Sequence, residues 1–185
     1  MTPTIRCATV ADAAHLNKLA VETFRDSFAE HNSPANMERY LAEAFTAERQ
    51  IAEITDAGGT VLLAERTDGS GVVHLVGYAH LVSGPAPAAV TGPAPLELKR
   101  LYVARQWHGH GVAQALMDAV LDAARMRGAR TVWLGVWERN PRAVAFYAKY
   151  DFARVGELSF ILGEDVQTDW LLARALDPSH DGSER

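Results

Sequence analysis

The spacing of apolar and polar positions changes period several times along the chain, and each change predicts an element. Ile5 to Ala8 reads as a short strand, and Thr9 then caps a helix that places Ala13, Leu16, Leu19 and Ala20 on one face. "SPANMERYLAEAF" predicts a second helix, with Ser33 as N-cap, Pro34 at its first position and Met37, Tyr40, Leu41 and Phe45 at helical spacing. "TAERQIAEI" predicts a third, capped by Thr46 and ended before Gly58 and Gly59. The first third of the chain is therefore expected to be mostly helical.

The period then shortens. "TVLLAE" and "VVHLVGYAHLV" read as strands joined through the turn-rich "RTDGSG", a hairpin in which Gly77 marks a candidate bulge. "SGPAPAAVTGPAP" has the composition of a loop between strands, and "LELKRLYVA" is the next strand. A helix runs from the glycines near 110 to about Arg127, with Gly128 beyond its end. "RTVWLGVWE" is again a strand, and "NPRAVAFYAKY" a helix with Asn140 as N-cap. "FARVGELSF" and "TDWLLARAL" close the sheet. Residues 1–176 thus read as a single domain, and 177–185, "DPSHDGSER", as a polar tail expected to be disordered.

At 185 residues the chain has the length of one domain with a full core. It is 48% hydrophobic, and no apolar run approaches the roughly 20 residues that span a bilayer. Cys7 is the sole cysteine, which leaves no disulfide within the chain, and the opening residues lack the pattern of a secretory signal. A cytoplasmic protein with no membrane partner is expected. Net charge is −5, without a basic block longer than two residues, which argues against nucleic acid as a partner.

Two local features carry chemistry. "RQWHGHGVAQALM" sets Gly109 and Gly111 directly before a helix whose one face is Val112, Ala115, Leu116, Ala119, Val120 and Ala123. Bare backbone N–H groups at a helix N-terminus suit an anion. The stretch lacks the third glycine of a dinucleotide fingerprint and the Gly-Lys-Ser/Thr ending of a P-loop. In "LELKRLYV" the apolar alternation, Leu96 and Leu98, then Leu101 and Val103, slips by one, as a β-bulge near Lys99 or Arg100 would make it. A strand buried on both faces would account for the same pattern.

"LELKRLYVARQWHGHGVAQALMDAVLDAARMRGARTVWLGVWERNPRAVAFYAKYDF" resembles the core of the GCN5-related N-acetyltransferases, the GNAT superfamily. The strand, the Gln/Arg-x-x-Gly-x-Gly/Ala turn, the helix, the next strand and the Asn-x-x-Ala-x-x-Phe-Tyr helix follow in that family's order. "ETFRDSFAEHNSPANMERYLAEAF" and "GELSFILGEDVQTDW" extend the resemblance to bacterial PaiA-type polyamine (spermidine/spermine) N-acetyltransferases. The resemblance implies an α/β fold with a mixed, mostly antiparallel central sheet, splayed between its fourth and fifth strands and flanked by helices. Acetyl-CoA is the implied cosubstrate, with no metal. Two histidines near the turn, without cysteine or a suitably spaced carboxylate, are also a poor zinc set.

Site residues carried over by resemblance fall in three groups. The CoA pyrophosphate would sit on the turn His108, Gly109, His110, Gly111, Val112 and Ala113, where histidine replaces the usual Gln or Arg at the first position; Gln106, Gly109 and Gly111 fit the same pattern two residues earlier. Leu101, Tyr102 and Val103 would line the pantetheine, with Asn140 beside them. Tyr147 matches the tyrosine that protonates the leaving thiolate, a fitting role for a phenol whose reference pKa of about 10 lies above a thiol's, about 8.5.

The attacking amine must be uncharged, and deprotonating one of pKa about 10.4 at neutral pH costs about 4 kcal/mol. A nearby carboxylate or a water chain should take the proton. Glu97 matches the position where relatives carry a base, and Glu138 beside Trp137 is the other candidate. Either could instead bind the substrate cation, with Trp137 a candidate for binding the amine. Trp133 and Trp137 share one strand face as core or substrate wall. Glu22, Asp26, Glu30 and Glu38 form an acidic helical stretch that could draw a polycation. Asp151 stands where the family commonly has glycine. The expected reaction is direct acetyl transfer to a small primary amine, with a homodimer as the implied assembly. A protein N-terminus, a lysine or an antibiotic amine is the competing acceptor, and a CoA-binding regulatory module without turnover the competing class.

Overall fold

The computed structural model describes residues 2–176, so the expected tail at 177–185 lies outside the described residues. The elements in chain order are β1 (Thr4–Cys7), α1 (Ala13–Phe28), α2 (Pro34–Ala44), α3 (Ala47–Thr55), β2 (Gly59–Thr67) and β3 (Val73–Val82). They continue with β4 (Pro95–Val103), α4 (Val112–Met126), β5 (Thr131–Trp137), α5 (Pro141–Ala148), β6 (Ala153–Leu162) and β7 (Asp165–Ala175). The sheet order is β1-β2-β3-β4-β5-β7-β6. Every neighbouring pair is antiparallel except β4 and β5, which run parallel. This is the mixed, mostly antiparallel α/β arrangement expected.

Local chemistry sets the helix ends. Ser33 Oγ accepts from the Asn36 amide at 3.2 Å, Thr46 Oγ1 from the Arg49 amide at 3.2 Å, and Asn140 Oδ1 from the Ala143 amide at 3.1 Å. Thr9 behaves differently from a simple cap. A single 3-10 turn, Val10–Asp12, precedes α1, and the Asp12 carboxylate accepts the Thr9 amide at 2.8 Å while pairing with Arg6. Strand alternation divides the core between the two sheet faces. Val61 and Leu63 pack with α1 and α2 around Phe24, Met37 and Leu41, whereas Leu62 and Ala64 pack against α4 around Leu116, Met117 and Val120.

Two bulges shape the middle of the sheet. Gly77 pairs with Ala64 while Leu75 pairs with Glu65, so the extra residue is Val76, whose carbonyl accepts the Ala104 amide at 2.9 Å. On β4, Arg100 pairs with His80 and Leu98 with Leu81, which leaves Lys99 as the bulged residue and accounts for the slip in apolar phase. The parallel β4–β5 ladder holds only from Pro95 to Glu97 against Thr131 to Trp133. Beyond Glu97, β4 stays with β3 up to Val103, and β5 stays with β7 up to Trp137. The sheet therefore opens as a wedge between its fourth and fifth strands.

Candidate active site

The bulge is held from the outside. Glu53 of α3 accepts from Arg100 Nη1 at 2.6 Å and lies 3.5 Å from Lys99 Nζ, while the Arg100 guanidinium sits 4.8 Å from the Phe45 ring centroid. The side chains of both partners of the Arg100–Glu53 pair are largely shielded from solvent. Removing one would strand the other, so the pair fixes where β4 turns away from β5.

The wedge is occupied by two cavities that share their innermost walls. The first, about 440 Å³, opens toward the glycine turn and is lined by Val103, Arg105, His108, Ala113, Arg139 and Arg142 among others. The second, about 330 Å³, lies on the opposite side and is lined by aromatic rings from α1, α2, β5 and β6 together with Glu97 and Asp169. Leu101, Tyr102, Trp137, Asn140, Ala143 and Tyr147 line both. A thioester entering from one side and an amine from the other would meet at these residues.

At the turn, Gly109 and Gly111 have φ of +81° and +79°, values that a side chain strains, and Gly111 is the N-cap of α4. The amides of His108 and His110 are already spent, on the carbonyls of Arg105 at 3.2 Å and Trp107 at 3.4 Å. Among the described residues, Gly109, Gly111, Val112 and Ala113 have amides without a backbone acceptor, three of the four in the second half of the expected set. The Val112 side chain is itself buried against the sheet. The His108 ring is committed as well. Its Nε2 lies 2.8 Å from the Val103 carbonyl, so that N–H donates there, and Nδ1 accepts from Arg142. Burial lowers its pKa, which keeps this ring neutral. His108 thus braces the end of β4 against α5, and the cations that face the first cavity are Arg105, Arg139 and Arg142.

Tyr147 is 8% exposed and faces both cavities, and burial pushes its phenol well above the ordinary range, so the hydroxyl is a donor throughout the neutral region. Asn140 both caps α5 and faces the junction. Glu97 lies in the second cavity, where burial raises its carboxyl against the opposing influence of Lys99 and Arg100. Trp137 closes the junction, with Phe28 and His31 packed on it at 5.7 and 5.2 Å. Trp133 and Trp137 are buried and wall the second cavity, as their shared strand face implied.

Glu138 is exposed and lines neither cavity, and it acts on the site through its charge alone, raising the carboxyl of Asp169. The acidic helical stretch also splits. Asp26 and Glu30 face the first cavity, Glu38 pairs with Arg25 at 2.7 Å, and Glu22 reaches neither cavity, so none of the four faces the second cavity. Residues that the sequence did not single out complete the site. Arg139 comes from the turn between β5 and α5, Arg142 from the first turn of α5, and Asp169 from β7. Among the described residues, no cluster of three His, Cys, Asp or Glu side chains is placed to hold a metal ion, and no helix is long and apolar enough to cross a membrane.

A wedge-split sheet with a glycine turn at one mouth and a tyrosine at its apex has clear relatives. The model of the acetyltransferase (GNAT) family matches residues 20–152. An uncharacterized N-acetyltransferase in the pepI 3′ region of Lactobacillus delbrueckii subsp. lactis is 33% identical over 155 residues, covering 84% of this chain and 87% of its own. Among solved structures, the PaiA N-acetyltransferase from Thermoplasma acidophilum in complex with coenzyme A has a TM-score of 0.75 at 19% identity, over 95% of this chain and 100% of that one. A spermidine N-acetyltransferase chimera from Vibrio cholerae and hSSAT has a TM-score of 0.66 at 19% identity, over 95% and 96% of the two chains. At such identities the two structures speak for the fold, and the family model with the Lactobacillus relative speaks for descent. The chain belongs to the acetyltransferase (GNAT) family and is an N-acetyltransferase of that family.

Proposed function

We propose that residues 1–176 form one catalytic unit that transfers acetyl from acetyl-CoA directly to a primary amine of a small polyamine such as spermidine or spermine. The observation that carries this reading is the meeting of two cavities at Tyr147, Asn140, Trp137, Leu101 and Tyr102. Acetyl-CoA takes the first cavity. Its pyrophosphate lies on the free amides of Gly109, Gly111, Val112 and Ala113 near Arg105, Arg139 and Arg142, and its pantetheine runs along Leu101, Tyr102 and Val103 beside Asn140. The chemistry suits it, because a helix N-terminus and guanidinium groups favour phosphate, and bulged strand backbone offers donors to amide and carbonyl groups. His108 and His110 contribute by shaping the turn, and no metal takes part.

The acceptor takes the second cavity and is read by Trp137 and the aromatic walls. Its nitrogen attacks the thioester carbonyl, the oxyanion is stabilised by backbone N–H groups of the Leu101 to Val103 segment, and Tyr147 gives its proton to the departing CoA sulfur. Burial raises phenol and thiol together, so the proton transfer stays close to balanced. Glu97 removes the amine proton, and its raised carboxyl narrows the gap to an ammonium. Glu138 acts at a distance on the acceptor side. The polyamine assignment draws on the aromatic and carboxylate lining of the second cavity, on the resemblance of the terminal segments, and on the spermidine-acetylating chimera among the fold relatives. We place the enzyme in the cytoplasm and expect a homodimer, which light scattering reads directly.

The test is thiol release from acetyl-CoA with spermidine, spermine, putrescine, a lysine peptide and a free-N-terminus peptide. Selective turnover of the polyamines is expected. Turnover of the peptides alone transfers the reading to a protein acceptor, and acetyl-CoA binding without thiol release from any amine makes the chain a regulatory CoA module.

A further inference from the structure

Trp133, Gly135 and Trp137 alternate onto the face of β5 that walls the second cavity, and Gly135 is the gap between two indoles. A carboxylate from the neighbouring strand borders that gap, in which Gly135 stays exposed to the cavity. A methyl group at Gly135 would meet Asp169 Oδ2 at 3.3 Å and Leu158 Cδ1 at 3.8 Å, so Asp169 lies over bare backbone that any other residue would crowd. Asp169 pairs in register with Trp137, yet its carboxylate leans toward Gly135, two residues and about 7 Å down β5 from the junction tryptophan. It lines the second cavity and not the first.

Asp169 is half-buried and has neither a hydrogen-bond donor nor a cation of its own among the described residues. Burial first, and Glu138 at the end of β5 second, push its carboxyl up to about 6. The other groups around it offer no relief. Tyr40 of α2 is a neutral phenol, and Lys99 and Arg100 on β4 are engaged by Glu53. Rings complete the surroundings, with Tyr40 stacked on Phe24 at 4.7 Å and edge-on to Phe160 at 5.5 Å. A bare carboxylate among aromatic faces is costly to desolvate and is relieved by an alkylammonium, which both the charge and the ring faces attract.

We propose that Asp169, seated over Gly135, is the counterion of a second, non-reacting ammonium of the acceptor, so that the enzyme selects diamines and polyamines over monoamines. The inference rests on the acyl-transfer reading above, with the acceptor in the second cavity. The attacking nitrogen must be neutral, and an ion pair with Asp169 would hold it protonated. An ammonium that stays protonated beside Asp169 is not the reacting one, and the seat of Asp169 beside Gly135, two residues from Trp137, suits a charge one short alkyl spacer away from the shared walls.

The experiment compares kcat/KM for putrescine with that for butylamine in the wild type, Asp169→Asn and Gly135→Ala, with coenzyme A affinity by calorimetry confirming that each variant is folded. The wild type is expected to favour the dication by more than about tenfold. Asp169→Asn should raise the putrescine KM about 30-fold, hold kcat within about twofold and bring the selectivity ratio toward one. Gly135→Ala keeps the charge but displaces it, and should lower the ratio several-fold. An unchanged ratio in Asp169→Asn overturns the inference while leaving the acetyltransferase reading intact. Equal loss of kcat on both amines overturns it in favour of a proton-accepting role, and wild-type turnover of peptides with none of putrescine overturns both readings.

Discussion

The two cavities that meet at Tyr147 are built from different materials. On the turn side, the recognising groups are backbone amides and guanidinium groups, and the glycines matter because their φ values are closed to other residues. On the acceptor side they are side chains, rings and two carboxylates gathered from α1, α2, β4, β5, β6 and β7. Main-chain recognition tolerates exchange of side chains, which is how histidine can stand at the first position of the turn and be spent on Val103 and Arg142. Side-chain recognition allows no such exchange. On the proposed reading, the cosubstrate side is therefore the general half of the site and the acceptor side the particular half, with chemistry confined to the seam.

If that division holds, variants should sort by which kinetic constant they move. The largest effect belongs to the seam: Tyr147→Phe should lower kcat by about 10²–10⁴-fold with little change in either KM. A loss carried entirely by KM would make Tyr147 a wall of the cavity and not an acid. Glu97→Gln comes next, with an expected loss of about 10² in kcat. Because burial raises its carboxyl, wild-type activity should fall on acidification at a higher pH than an ordinary carboxylate would dictate, and the variant should lose that limb. An unaltered acid limb would reassign the proton to a water chain. On the turn, Gly111→Val forces a β-branched residue to φ of +79°, a cost of about 1–2 kcal/mol. The KM for acetyl-CoA should rise about 5–30-fold while the amine KM stays put. Movement of the amine KM instead would show that the two halves are not separable.

The same division explains what could be read from the sequence. The bulge was legible because an apolar phase slip is a local pattern, and the turn because two glycines precede an amphipathic run. The junction at Asn140 and Tyr147 came from the family resemblance carried by one short helix, since spacing alone makes Tyr147 a core residue. Asp151 adopts φ of +59° at the end of that helix, as its position in place of glycine implied. The acceptor pocket was not legible, because Phe24, Tyr40, Phe160 and Asp169 look like core or solvated residues until the fold brings four segments together. Gly135 did offer a local signal. A glycine inside a strand marks a close approach, and here the approaching group is Asp169. Glu138, read as a candidate substrate contact, stands one step beyond Trp137 at the end of β5, where it is exposed and lines neither cavity.

The smallest expected effect concerns stability and separates the halves most cleanly. Burial, and Glu138 after it, push the Asp169 carboxyl up to about 6 in the folded chain, above the value of about 3.9 of an unfolded aspartate. A carboxyl raised by folding binds its proton more tightly in the native state, so its ionisation works against the fold. The penalty is absent below about pH 3.9, grows as pH rises to 6, and is fully present at neutral pH. Water reaching the half-buried group screens part of it, leaving on the order of 1 kcal/mol. Asp169→Asn should therefore raise Tm at pH 7.5 by about 2–4 °C while lowering turnover of dications. At pH 4 the wild type and the variant should melt together. A variant that melts lower at neutral pH would mean that Asp169 holds β7 to β5, which would make it structural and leave the acceptor side without an anion kept ready for a cation.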